Sequence, residues 1–137
     1  MSVTTPNASD LALVLETRAA MGDRPVIVVL ELSNPTVVAR LEAAASALLV
    51  SFSVQDQAIL DILAGAAEPS GLLPLQMPAS MRTVEEQHED TPLDMEPHVD
   101  TEGHAYDFAF GLDWSGVIQD ARTERYGQPV RAAAGAR

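Results

Sequence analysis

The sequence has no cysteine and no lysine, and only 4% of it is aromatic. Lack of cysteine removes disulfides and thiolate metal ligands, and leaves the compartment open, because many exported proteins also lack it. Lack of lysine leaves eight arginines to face 20 carboxylates, a formal net charge of -12. A phosphate backbone is held by clustered Lys or Arg that displace counterions, so nucleic acid is excluded as a partner class. No stretch reaches the roughly 18 apolar residues of a membrane span. The opening MSVTTPNASD shows no positive cluster ahead of an apolar core. The expectation is a soluble chain without an export signal of its own, and no membrane partner.

What the chain does have is length and aliphatic content. Its 137 residues suffice for one domain with a core and are too few for two ordinary ones. Hydrophobic residues make up 47%, but much of that is alanine, so the core should be aliphatic and thin. Ser9 or Asp10 can cap a helix opening at Leu11, with Leu11, Val14, Leu15 and Ala19 in helical period and Gly22 as its stop. RPVIVVLEL, Arg24 to Leu32, is a β-branched run bounded by prolines, as in strands buried on both faces of a parallel sheet. Thr36 to Ala39 reads as a short extended piece and Ala47 to Phe52 as a second strand.

The next helix, in Gln55 to Gly65, shows an apolar stripe at Ala58, Ile59, Ile62 and Leu63, and Gly65 is a natural stop. EPSGLLPLQMPAS, Glu68 to Ser80, follows with three prolines and a glycine around a short apolar run. Proline fixes its own φ and drives the residue before it out of the helical region. The segment therefore reads as a tight turn at Pro69, Ser70 and Gly71, then a short buried strand from Leu72 to Met77. Gly71 is expected at a positive backbone angle, where a β-branched residue would be costly. From Met81 to Asp107 the chain is acidic, with Arg82 as the single base, and reads as a surface arm with one helical turn near Thr83 to Gln87. The expected division is a core over 1–80, an acidic arm and tail over 81–119 on the same domain, and a disordered tail over 120–137. The order of helices and buried strands predicts an α/β fold, a three-layer α/β/α sandwich with a mostly parallel sheet and an extended C-terminal arm.

Several fragments, taken in order, resemble the C-terminal α/β sandwich domain of glycoside hydrolase family 3, the β-glucosidases and related exo-acting enzymes. Pro25 to Leu30 stands where that domain has its PVVVVL strand. LDILAGAAEPSGLLPLQMP, Leu60 to Pro78, is similar to the family passage ADVLFGxxNPSGRLPxTFP, matching at Asp61, Leu63, Gly65, Pro69, Ser70, Gly71, Leu73, Pro74 and Pro78. YDFAFGLDWSGVI, Tyr106 to Ile118, is similar to the closing FPFGYGLSYTxF. The resemblance implies a domain incomplete relative to the family's, whose partner is a (β/α) barrel domain or a second copy of the chain.

It does not bring the chemistry with it. A retaining glycosidase holds two carboxyl groups about 5 to 5.5 Å apart across the sugar. In the family the nucleophile is an aspartate of the barrel, and the acid/base, where the second domain supplies it, precedes the helix that opens this sequence. The expectation is thus no catalytic residue, no cofactor and no metal in this chain, and an architectural role. A free-standing α/β interaction or assembly module is the alternative.

Individual residues fit this reading. LDWSG at Leu112 to Gly116 brings to mind a Ser-Asp-Trp nucleophile motif, but it follows FAFGL, so Trp114 is read as an aromatic anchor packing the tail onto the domain. His88, His98 and His104 lie among carboxylates without the spacing of a metal site. Ser70 and Ser115 lack the G-x-S-x-G elbow of an exposed nucleophile. The residues singled out are therefore structural: Pro69, Ser70, Gly71, Pro74, Gly111 and Trp114.

Overall fold

The structure is a computed structural model, and it describes residues 8–88, 90–91 and 93–127. Helix α1 runs Ala8–Met21 and ends where Gly22 turns at φ +60. Its start lies upstream of the expected caps, so Ser9 and Asp10 sit inside the first turn. Strand β1, Ile27–Glu31, and strand β2, Ala47–Ser51, pair in parallel with Ile27 opposite Ala47 and Glu31 opposite Ser51. Parallel strands need a crossover, and helix α2, Ala39–Ala44, supplies it. α2 covers the end of the piece expected to be extended at Thr36 to Ala39. Helix α3, Asp56–Leu63, follows β2, and Gly65 at φ +75 turns the chain out of it.

The α/β class and the parallel pairing hold, over a partial sheet. Two strands make up this sheet among the described residues. The third expected strand, Leu72 to Met77, does not join it. That segment is extended but kinked, and pairs antiparallel with the tail: Leu73 N–H donates to Phe110 O at 2.7 Å, Ala109 N–H to Leu73 O at 2.8 Å and Met77 N–H to Tyr106 O at 2.9 Å. Proline has no N–H to offer a ladder, and Pro74 falls between these two sets of bonds.

Helix α4, Met81–Glu85, is capped by Ser80, whose side chain accepts from Thr83 N–H. The arm then returns: His98 N–H donates to Met77 O, and Tyr106 N–H to His98 O, both at 2.8 Å. Strands β3, Leu112–Asp113, and β4, Gly116–Val117, form a two-residue antiparallel hairpin. The stretch expected to be disordered from residue 120 instead opens with helix α5, Ala121–Tyr126. Asp120 caps it in a reciprocal box with Thr123, which satisfies N–H groups a free helix end leaves open. The rest of that tail, 128–137, lies outside the described residues.

The core gathers Val26, Val28, Val38, Leu41, Met77, Met95, Ala109 and Ile118, so the returning arm contributes as much to it as the sheet. Ser46 ties the first layers together, accepting at one Oγ from Val26 N–H at 3.0 Å and from the Arg18 guanidinium of α1 at 2.8 Å. The opposite face of β1 is bare: Ile27 is 49% and Val29 38% exposed. No helix among the described residues is long and apolar enough to cross a membrane.

Candidate functional site

The corner and the tail meet as the sequence implies, but the tight residue is a different one. Gly71 has no positive φ, and a Cβ built on it would meet nothing within 4 Å. This corrects the expected turn geometry, since the left-handed glycine here is Gly65. Gly111 is the constrained position. A Cβ there would collide with the carbonyl oxygen of Gly71 and approach Leu72 Cδ2 at 3.0 Å. Pro69 and Ser70 lead into this crossing, and Ser70 O accepts from the Arg122 guanidinium of α5 at 2.9 Å.

Trp114 does not pack the tail onto the domain. Its ring is 64% exposed, and its backbone N–H is what is fixed, donating to Glu68 Oε1 at 3.1 Å. It occupies the β3–β4 turn, where Asp113 Oδ1 accepts from Ser115 N–H at 2.7 Å and the following glycine, Gly116, takes φ +124. Asp113 thus serves its own turn. Other groups attach the tail. Buried Gln76 donates from Nε2 to Asp107 Oδ1 at 2.7 Å and accepts from Met95 N–H at 3.2 Å.

A polar network passed over in the sequence runs beside this crossing. Residues 98 to 106 form a hairpin, with Val99 bridging Ala105, Gly103 N–H donating to Asp100 O at 3.1 Å, and Gly103 at φ +86. Asp100 sits at its hub, accepting from Glu102 N–H and His104 N–H at 2.9 Å, from the Tyr106 hydroxyl at 3.2 Å, and facing His104 Nδ1 at 3.1 Å. Burial alone would raise the Asp100 carboxyl, but the bonds from the His104 N–H and ring, the Glu102 N–H and the Tyr106 hydroxyl together outweigh it, and hold it below the ordinary carboxylate value. The Tyr106 hydroxyl is pushed well up, by burial first and then by the negative charge and hydrogen bond of Asp100. His98 links the arm to α2 through Nε2, 3.3 Å from Glu42 Oε2, and meets Tyr106 edge to face at 5.2 Å. Tyr106 in turn stacks on Phe110 at 5.6 Å. The signal available in the sequence is the Asp100-Thr101-Glu102-Gly103 turn with polar residues alternating on either side of it.

Between β2 and the crossing lies a half-open cleft of about 420 Å³. Leu48 to Ser51 and Phe52 form one wall, Gly71 to Leu73 and Phe110 to Leu112 the other, with Met77 and Tyr106 between them. Among the described residues, no carboxyl, imidazole or guanidinium group lines it. Among the described residues no group of three or more His, Asp or Glu is arranged to hold a metal ion.

An α/β layer, a proline-rich corner after a helix and a tail laddered onto that corner define one class of domain. The chain belongs to glycosyl hydrolase family 3, whose C-terminal domain matches residues 2–114. It is similar to beta-glucosidase C of Emericella nidulans, with 38% identity over 84 residues, 61% of this chain and 14% of that protein. It is similar also to the probable beta-glucosidase C of Aspergillus flavus and that of Aspergillus oryzae, each 35% identical over 85 residues, 62% of this chain and 13% of theirs. The matched stretch thus spans only 13–14% of the length of these curated relatives. No solved structure matches the chain significantly.

Proposed function

We propose that this chain acts as the later part of the C-terminal sandwich of a β-glucosidase-like family 3 glycoside hydrolase, backing a (β/α) barrel domain and contributing no catalytic carboxylate itself. The observation that carries this reading is the composition of the cleft. Hydrolysis by two carboxyl groups needs both to face one sugar-sized space. The cleft between β2 and the crossing has none among its described lining residues. Asp100 and Asp107 are instead engaged in holding the arm, and Asp113 in its own turn.

The test is complementation. A family 3 β-glucosidase shortened so as to lack the matching stretch should gain aryl β-glucoside turnover when this chain is added. The chain alone should give none above a buffer blank. Turnover by the chain alone that disappears in Asp113→Asn would overturn the reading.

A second reading, a free-standing module that binds its own copy, is favoured by the bare face and free edge of β1. On that strand Ile27 is 49% and Val29 38% exposed, and β1 has one hydrogen-bonded neighbour among the described residues.

A further inference from the structure

We propose that the cleft between β2 and the corner–tail crossing binds a neutral, phenol-like aromatic molecule, with the Ser51 hydroxyl as its hydrogen-bonding partner. This goes beyond the architectural reading and does not depend on it.

Three observations converge on that ligand class. The volume, about 420 Å³, lies within the range of small-molecule sites and exceeds what a packing fault leaves in a core. The walls are mostly apolar and include the rings of Phe52, Tyr106 and Phe110. Tyr106 brings only its ring, because its hydroxyl is already given to Asp100. Aromatic surfaces of this kind favour a flat apolar ligand. Among the described residues no ionised side chain lines it to offset the desolvation of a charge, so anions and cations are disfavoured alike.

The third observation is Ser51. It lines the cleft, is 4% exposed, and its Oγ has no hydrogen-bond partner. A buried hydroxyl without a partner is costly, and native interiors seldom leave one so. Its place at the end of β2, on the wall of a mostly apolar cleft, is that of a polar group that orients an otherwise apolar ligand. A phenolic hydroxyl can both donate to and accept from a serine, which a purely hydrocarbon ring cannot.

The experiment is an amide-resolved NMR titration of the full chain with 2-naphthol, alongside naphthalene-2-carboxylate as the charged counterpart. Saturable shifts are expected at Leu49 to Phe52, Gly71 to Leu73 and Phe110 to Leu112 with 2-naphthol, and none with the carboxylate. Ser51→Ala should weaken binding about five- to tenfold, the size of one hydrogen bond, while its unliganded spectrum shows the fold retained. Ser51→Thr keeps the hydroxyl and should bind within about twofold of the parent, which separates loss of the bond from loss of packing. The proposal is overturned by shifts confined to the exposed face at Ile27 and Val29, by no saturation with 2-naphthol, by equal binding of the carboxylate, or by an unchanged affinity in Ser51→Ala.

Discussion

Gly111 passes so close to Gly71 that its missing side chain is a condition of the crossing: a Cβ on Gly111 would overlap the Gly71 carbonyl oxygen, whereas one on Gly71 would stand in open space. The contact joins two loops 40 residues apart in sequence, and the obstacle is backbone that cannot rotate away. Gly111→Ala should therefore cost about 1–3 kcal/mol, as overpacking does. Gly71→Ala should stay within about 0.5 kcal/mol, as a substitution with no clash or strained angle does. Urea melts of the two variants beside the parent check this, and equal losses at both positions would contradict the asymmetry.

Gln76 is 3% exposed and uses both ends of its amide, donating to Asp107 and accepting from Met95 N–H. Gln76→Leu preserves bulk but strips a buried N–H of its acceptor and a carboxylate of a donor. A loss of about 2 kcal/mol is expected, since orphaned buried polar groups bear most of the cost. Amide exchange should quicken at Met95 and Phe108, both anchored through this pair or its carboxylate. Stability equal to the parent would show that the tail does not depend on this amide.

The Asp100 hub makes part of the stability depend on pH, with a definite sign. Its folded-state pKa is depressed below the ordinary value of 3.8, so its contribution is complete above that value and is lost as pH falls through the lower folded value. Asp100→Asn should be less stable than the parent at pH 7 by about 1–3 kcal/mol, because a carboxylate accepting several bonds is replaced by an amide that cannot accept them all. The gap should narrow as pH falls below 3.8. Melting curves from pH 7 to acid read this directly, and a gap that widens toward acid would reverse the assignment.

These positions also show what the sequence could and could not convey. Helices α1 and α3 and strands β1 and β2 are legible because their signals are local: apolar period, β-branched runs and glycine stops. The strand expected at Leu72 to Met77 is misread because its partner is the tail, 29 to 37 residues on, and Pro74 breaks its ladder. Helix α2 escapes notice because ARLEAA offers Leu41 alone as an apolar landmark, directly after two valines that suggest extension. Trp114 is assigned inward because it follows FAFGL, but the β3–β4 turn leaves it 64% exposed. His98 and His104 are weighed only against metal-site spacing, whereas their roles rest on partners at Glu42 and Asp100 that a fold, not a motif, brings near. The turn expected at Pro69, Ser70 and Gly71 is displaced: the chain turns at 64–67, with Gly65 at positive φ, and runs on without a turn through 68–73.

The bare face of β1 yields the last prediction. A strand pairing in parallel normally has both faces covered, yet Ile27 is 49% and Val29 38% exposed, and β1 has one neighbour only among the described residues. A free edge beside exposed apolar side chains invites pairing with another chain. The isolated chain should therefore associate as concentration rises. The net charge of -12 opposes this by repulsion between copies, so association should strengthen as salt screens that repulsion. Ile27→Lys with Val29→Lys places two cations on the face, lowers its apolar area and should return the chain to monomer. Light scattering over a concentration series at two salt levels measures all of this. A monomer at every concentration and salt would mean that the face does not pair with itself, and would leave the barrel-bearing enzyme as the context in which it is covered.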